Sequence, residues 1–400
     1  MIVRRERSIL VKHGPRIAHA SVFEVALPLL KTFVTGFGDT SSRHTDLIHL
    51  VDDEGFEGWG EAPALDHPFY LSETTSTTFS IIVEYALPLA LQSNSFDPHD
   101  IARAMAPIRG NTFARAGVEA AYWALSSARE GRPISALLGG ALPRVAVGES
   151  LSISDTLDET LEEVSLRLDE GYRRIKLKIR PGWDIEVVRA VRESFGDEIL
   201  LQVDGNASYD LDDADVFRAL DDFGLLCIEQ PLGYDDMEGS AVLQRQLHTP
   251  ICLDEAIRNP TDARRALDTD ACRNINVKPG RVGGLVASLE IHDLCVERGI
   301  PLWCGGMLES GIGRSANLAL CSLPGFNQPA DMSPASVLYS DDLVDPTYIV
   351  ESDGHVEVPI APGLGFDVVP SRIIDRTVRF ATSDESTQSI RERSLDDVAL

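Results

Sequence analysis

The sequence predicts an α/β fold, a (β/α)8-like barrel preceded by a smaller α+β domain, and three observations carry this expectation. From about residue 145 onward, short apolar strands alternate with amphipathic helices at least seven times. The charged residues that close five successive strands are Lys178, Asp204, Glu229, Asp254 and Lys278. Their spacings are 26, 25, 25 and 24 residues, the length of one strand–helix unit. The first 142 residues have another texture, with strands followed by a run of helices.

In the first part, RIAHASVFEVAL and TDLIHLVDDEGFEGWGEA read as strands broken by Asp-Glu-Gly turns. Between them lies KTFVTGFGDTSSRH, a Gly/Ser/Thr-rich loop holding Phe33 and Phe37. Residues 74–140 read as helical, most clearly FARAGVEAAYWALSSAREG, closed by Gly131-Arg132-Pro133. The barrel units then follow: VAVGESLSI, RIKLKI, EILLQVDGN, LLCIEQP, PICLDE, RNINVKP and IPLWCGG, with helices such as DIEVVRAVRESFG between them. Such repeats imply parallel strands with right-handed crossovers. The last stretch, SDDLVDPTYIVESDGHVEVP, reads as strands that rejoin the first domain. The tail after Asp375 reads as polar and mobile. The domain limits drawn from this are 1–142, 143–345 and 346–400.

Side chains alternate along a strand. In RIKLKI, Ile175, Leu177 and Ile179 share one face, while Arg174, Lys176 and Lys178 share the other. Leu201 and Val203 oppose Gln202 and Asp204; Ile228 opposes Cys227 and Glu229; Ile251 and Leu253 oppose Cys252 and Asp254. Ile275 and Val277 oppose Asn274, Asn276 and Lys278. Helices ring the outside of a barrel, so the aliphatic faces point outward and the polar faces inward. Isolated surface charges would not keep this phase over five strands. Buried charges at this density must be paired or metal-bound.

Three carboxylates on adjacent strands suit a hard divalent cation such as Mg²⁺. No His or Cys accompanies them at zinc spacing. Lysines flank the carboxylates on both sides, yet only five of the 36 basic residues are lysines. Arginine stays protonated and makes a poor base. A lysine beside other cations gives up its proton more readily. The set fits removal of a proton α to a carboxylate, with the metal stabilising the enediolate.

Bulk properties narrow the remaining classes. A formal net charge of −27 argues against nucleic acid or an anionic membrane as partner. The six cysteines show no CxxC pairing and read as buried free thiols in a reducing compartment. No signal-like or membrane-spanning apolar run is present, so a cytoplasmic protein is expected.

The motifs GWGE (58–61), KLK (176–178), DGN (204–206), EQP (229–231), DE (254–255), KPGRVGG (278–284) and PGLGF form an ordered set spanning most of the chain. By these the chain resembles the enolase superfamily, muconate-lactonizing branch. GYRRIKLKIRPGWD, FGLLCIEQPL, TPICLDE and IPLWCGGMLESGIGRSANLALCSLPGF resemble its o-succinylbenzoate synthase / N-acylamino acid racemase subfamily. A lysine base beside Mg²⁺ is a pattern of that same superfamily.

The resemblance implies a (β/α)7β modified TIM barrel with an α+β capping domain built from both chain ends. It implies Mg²⁺, replaceable by Mn²⁺ or Co²⁺, on Asp204, Glu229 and Asp254. Lys178 and Lys278 are implied as the facing catalytic lysines, with Lys176 in support. Phe33, Phe37, Leu65 and Tyr70 are implied to close over a small carboxylate substrate. Ser150, Gly306, Met307 and Leu308 are implied to line the acyl pocket, with Asn206, Glu255 and Arg281 also in the site. A homo-oligomer, dimer to octamer, and a place in menaquinone biosynthesis follow from the same likeness. A muconate cycloisomerase-like lyase and another acyl-amino acid or dipeptide epimerase share these motifs and stay open. The metal motif is DGN where DAN is usual, and the N-terminal extension lies outside the likeness. The GxGxxA pattern in ESGIGRSA could mark a dinucleotide site, but a helix N-terminus facing a substrate carboxylate is the preferred reading.

Overall fold

Three antiparallel strands begin the computed structural model, which describes residues 16–35, 38–383, 389–398 and 400. They are Ile17–Thr35 (β1), Gly38–Asp52 (β2) and Glu57–Ala62 (β3). Phe23 pairs with Leu47 and Leu27 with Arg43 across β1 and β2. The turn into β3 is the expected Asp-Glu-Gly turn. Asp52 Oδ1 accepts from the amides of Glu54 and Phe56, both at 2.9 Å, and Gly55 takes φ +86°.

The Thr112–Glu130 helix lies across this sheet. The glycines of GWGE explain how closely it lies. A Cβ on Gly60 would stand 2.2 Å from the carbonyl oxygen of Gly117, and one on Gly58 2.3 Å from that of Ala121. Both obstacles are backbone, so no side chain could yield.

The second sheet has seven parallel strands, in the order Gly148–Leu151, Arg174–Lys178, Leu200–Asp204, Ile228–Glu229, Ile251–Leu253, Asn274–Val277 and Leu302–Cys304. The ring is completed by residues 326–331, which bridge both edges. Phe326 pairs with Leu302, and Ala330 pairs with Val147. The amide of Asp331 donates to the carbonyl of Cys304 at 2.9 Å, and that of Gly148 to the carbonyl of Ala330 at 2.9 Å. One helix, Gly311–Cys321, lies between the seventh strand and this eighth stretch. The architecture is therefore a (β/α)7β barrel under an antiparallel cap.

The parity holds in detail. Ile175, Leu177, Leu201, Val203, Ile251, Leu253, Ile275 and Val277 belong to one core with the helix residues Val187, Val188, Phe217, Ala263 and Ile291. On the inner side, Cys227, Cys252 and Trp303 form a small apolar cluster of their own.

The stretch after Asp375 is not a loose polar tail. Thr377–Ser383 is a strand that pairs with β1, and it sets Phe380 opposite Phe23 with ring centroids 4.9 Å apart. Phe380 and Ala381 are buried. Two buried side chains, one on each face of the sheet, suffice when a long strand already offers its edge. Before that point the returning chain stays on the barrel, where His355–Glu357 pairs with Arg144–Ala146. Among the described residues no helix is long and apolar enough to cross a membrane.

Candidate active site

Parallel pairing sets the charged strand ends side by side. Lys178 is the ladder partner of Asp204, and Asp204 that of Glu229. Asp254 and Lys278 each stand directly beyond the next two strands, Ile251–Leu253 and Asn274–Val277. All are buried; Lys178 and Lys278 are 8% and 7% exposed, and Glu229 and Asp254 are fully enclosed.

Every member has a partner of opposite charge. Lys178 Nζ donates to Asp204 Oδ2 at 2.6 Å. Lys278 Nζ donates to Asp254 Oδ2 at 2.8 Å and to Tyr70 Oη at 3.1 Å, and lies 4.6 Å from the centre of the Tyr70 ring. Lys176 Nζ is 2.6 Å from Asp331 Oδ2, 3.1 Å from Glu229 Oε2 and 3.6 Å from Asp204 Oδ2. Glu229 also accepts from Gln202 Nε2 at 2.9 Å and Asn276 Nδ2 at 2.6 Å. Asp254 is further held by an ion pair to Arg281 and by the Tyr70 hydroxyl, which donates at 2.8 Å.

Burial alone would lower both Lys176 and Lys278. For Lys176 the carboxylates of Asp331, Glu229 and Asp204 outweigh burial and hold it above the ordinary lysine range. For Lys278 the Tyr70 phenol, Glu229 and Glu255 do the same. Burial would raise Asp204, but Lys178 and Lys176 bring it down to about 2. Glu229 is pushed up, first by burial and then by Asp204. Glu255 is pushed up to about 7 by burial and by Asp204. The charged partners therefore divide the carboxylates: the one nearest two lysines stays ionised, and its neighbours resist ionising together.

A cavity opens onto this array. Lys176, Lys178 and Lys278 all reach its wall, as do Phe33, Leu65, Tyr70, Ser150, Asn206, Gly306, Met307 and Leu308. Phe37 lies outside the described residues. Glu255 and Arg281 stand behind the wall: Glu255 accepts from Asn206 Nδ2 at 3.3 Å, and Arg281 is fully enclosed, donating to the carbonyls of Ile257 and Asn276. Their place is to brace the groups in front.

The wall also holds residues that no sequence motif singles out: Thr40, Glu149, Arg314, Asp331, Ser333 and Leu338. Asp331 is the most consequential, since it joins Lys176 to the buried Arg174. It sits on the closing eighth stretch, whose sequence NQPADM carries no alternation to mark it as a strand.

The glycine-rich ESGIGRSA segment serves neither a dinucleotide nor a substrate carboxylate through its helix N-terminus. Protein carboxylates already fill that end. Glu61 of GWGE accepts from Ser310 Oγ at 2.6 Å, from the Ser310 amide at 3.1 Å and from the Gly313 amide at 3.0 Å, and Asp342 accepts from the Gly311 amide at 2.8 Å.

Among the described residues no three acidic, thiol or imidazole groups already form a coordination shell. Asp204, Glu229 and Asp254 each hold a cationic side chain instead. The donor set nevertheless fits a hard divalent cation: three buried carboxylates on adjacent strands, with oxygen ligands only. Asn206 Oδ1 and Glu255 Oε2 are buried beside them without a hydrogen-bond partner, and both are oxygens a cation or its waters would satisfy.

Residues 17–139 match the mandelate racemase / muconate lactonizing enzyme N-terminal domain, and residues 159–372 match the enolase C-terminal domain-like family. An o-succinylbenzoate synthase from Geobacillus stearothermophilus is 44% identical over 91% of this chain and 96% of its own length. An N-succinylamino acid racemase from an Amycolatopsis species is 42% identical over 90% of this chain and 98% of its own. A solved enolase-superfamily member from Listeria innocua superposes with a TM-score of 0.89 at 36% identity, covering 92% of this chain and 99% of that one.

Proposed function

From the premise that the chain belongs to the mandelate racemase / muconate lactonizing enzyme family of the enolase superfamily, we propose that it removes a proton α to a carboxylate and then completes one of two reactions. One is loss of water, giving o-succinylbenzoate. The other is return of a proton to the opposite face, racemising an N-succinylamino acid. The observation that carries this reading is that Lys178 and Lys278 come from non-adjacent strands and reach the wall of one cavity, each beside its own carboxylate at 2.6 and 2.8 Å.

Asp204, Glu229 and Asp254 would hold a divalent cation of the Mg²⁺ kind. When bound, it supplies Lewis-acid stabilisation of the negative charge that develops on the substrate carboxylate. The chain's own groups do the rest. Lys178 and Lys278 exchange the proton with the α-carbon. For racemisation each serves one face. For dehydration one takes the proton and hands it to the departing hydroxyl, which leaves as water, while the other, cationic, stabilises the enediolate. Lys176 is held by Asp331, Glu229 and Asp204 at 2.6, 3.1 and 3.6 Å, and it orients the carboxylate. Tyr70 and Arg281 hold Asp254 in place. Phe33, Leu65 and Met307 exclude water from the apolar part of the cavity.

The near identity of the similarity to synthases and to racemases supports a site that begins both reactions through the same enediolate. Six free, buried cysteines support placement in a reducing compartment. The test is a side-by-side assay with added Mg²⁺: dehydration of the cyclohexadiene carboxylate precursor against racemisation of N-succinyl-phenylalanine. Dehydration of the first, or racemisation of the second with solvent deuterium entering at the α-carbon, supports the reading. Absence of both turnover and exchange overturns it.

A further inference from the structure

The cavity wall carries a fourth cation that the proposed chemistry does not use. Arg314 stands in the first turn of the Gly311–Cys321 helix and is 3% exposed. Its electrostatic situation differs from that of the lysines. Lys176, Lys178 and Lys278 each have a carboxylate oxygen within 2.6–2.8 Å. The carboxylate nearest Arg314 is Glu309, whose Oε2 lies 3.5 Å from Nε, and Nε makes no hydrogen bond. Both Glu309 oxygens are engaged elsewhere: Oε2 accepts from the Met307 amide and Oε1 from Asn317 Nδ2, each at 2.9 Å. Arg314 Nη1 donates only to a neutral acceptor, the Asp331 carbonyl, and touches Met332 Sδ at 3.7 Å. The guanidinium is therefore ion-paired to Glu309 at 3.5 Å but makes no hydrogen bond to a carboxylate.

The opposite wall is shaped to leave that fork open. A Cβ on Gly306 would lie 3.2 Å from both Nη1 and Nη2, so any other residue there would crowd the guanidinium. Ser150 Oγ, on the same cavity wall, is buried without a hydrogen-bond partner. A guanidinium whose Nη2 has no hydrogen-bond acceptor and an unpartnered hydroxyl, both on one cavity wall, are the chemistry that recognises a carboxylate.

We propose that Arg314 binds a second carboxylate, at the far end of the substrate's acyl arm, so that the site selects substrates with two anionic groups. This rests on the α-proton chemistry proposed above, which places the first carboxylate at the lysines. Arg314 then acts as a specificity residue and does not contact the reacting carbon.

The experiment compares kcat/KM for deuterium exchange of N-succinyl-phenylalanine and of its distal primary amide, in wild type, Arg314→Gln and Arg314→Lys, with Mg²⁺ supplied. A charged hydrogen bond of this kind predicts that wild type favours the dicarboxylate by about ten- to a hundredfold. Arg314→Gln should bring the two substrates to within about threefold of each other, and Arg314→Lys should keep part of the preference. Equal losses on both substrates mean that Arg314 only braces Asp331, and they overturn the proposal. A wild type that does not distinguish the substrates overturns it as well. Should Arg314→Gln not fold, the wild-type ratio and Arg314→Lys decide. Exchange with neither substrate in wild type refutes the α-proton reading itself, an outcome distinct from exchange without preference.

Discussion

Replacing Lys278 with alanine isolates the work of one face of the site. The ammonium touches Asp254 at 2.8 Å and Tyr70 at 3.1 Å. Removing it does not strand Asp254, which keeps Arg281 and the Tyr70 hydroxyl. The stability cost should therefore stay below the roughly 3–5 kcal/mol seen when a buried charge loses its only partner. The chemical loss is larger, since a positioned base contributes about 10²–10⁴ in rate. Racemisation needs a proton donor on one face and an acceptor on the other, so it should fall by that factor. Lys178 remains beside Asp204, so the enantiomer whose proton faces Lys178 should still exchange. Lys178→Ala should give the mirror image, and there Asp204 keeps Lys176 at 3.6 Å. The assay incubates each enantiomer of N-succinyl-phenylalanine in D2O with Mg²⁺, following the α-proton by NMR and the optical rotation in parallel. Two results refute the two-face reasoning: both enantiomers exchanging equally in either variant, or racemisation within about tenfold of wild type.

Asp331→Ala removes the 2.6 Å partner of Lys176 and the ion pair of the fully enclosed Arg174. The expected loss is about 3–5 kcal/mol in urea unfolding, and a loss below about 1 kcal/mol would show the pairings to be dispensable. Glu61 is raised to about 7 by burial, reinforced by Glu309 and opposed by its bonds to Ser310 and Gly313. The folded state thus holds that proton more tightly than the unfolded chain does, and the wild type loses stability as pH rises from about 4.5 to about 7. Glu61→Gln lacks this titration, so its stability relative to wild type should climb across that window, by at most about 3 kcal/mol; a pH-independent difference counts against it. Mg²⁺ should raise the unfolding midpoint, stabilising the folded state by about 2.7 kcal/mol at a hundred times its Kd. Asp204→Asn should remove that response, whereas an unchanged response would place the cation elsewhere.

What the chain spells out locally is what could be read from it. The strand–helix repeat, the 24–26-residue spacing and the two-residue alternation each lie within one short segment. They put the lysines and carboxylates on one inner face. The features that escaped depend on segments far apart in sequence. Asp331 reaches the site because residues 326–331 close the ring between Leu302 and Val147, and NQPADM has no period to announce that. The final strand, TVRFATS, buries only two side chains, so its composition reads as a tail although β1 receives it as a sheet edge. The helix N-terminus after Ser310 looks open in sequence. It is filled by Glu61, 249 residues earlier, and by Asp342. The same division bears on specificity. The lysine–carboxylate rows repeat from unit to unit, and in the reading proposed above they begin either reaction. The rest of the cavity wall is assembled from Phe33, Leu65, Tyr70, Ser150, residues 306–308, Arg314 and Asp331, drawn from separate loops and strand ends. Of these pieces Tyr70 and Asp331 also hold members of the rows, and the others can change without removing a partner from them. On the proposed reading, a site built this way keeps one proton-transfer step while its choice between dehydration and racemisation, and of acyl arm, falls to residues that share no common motif.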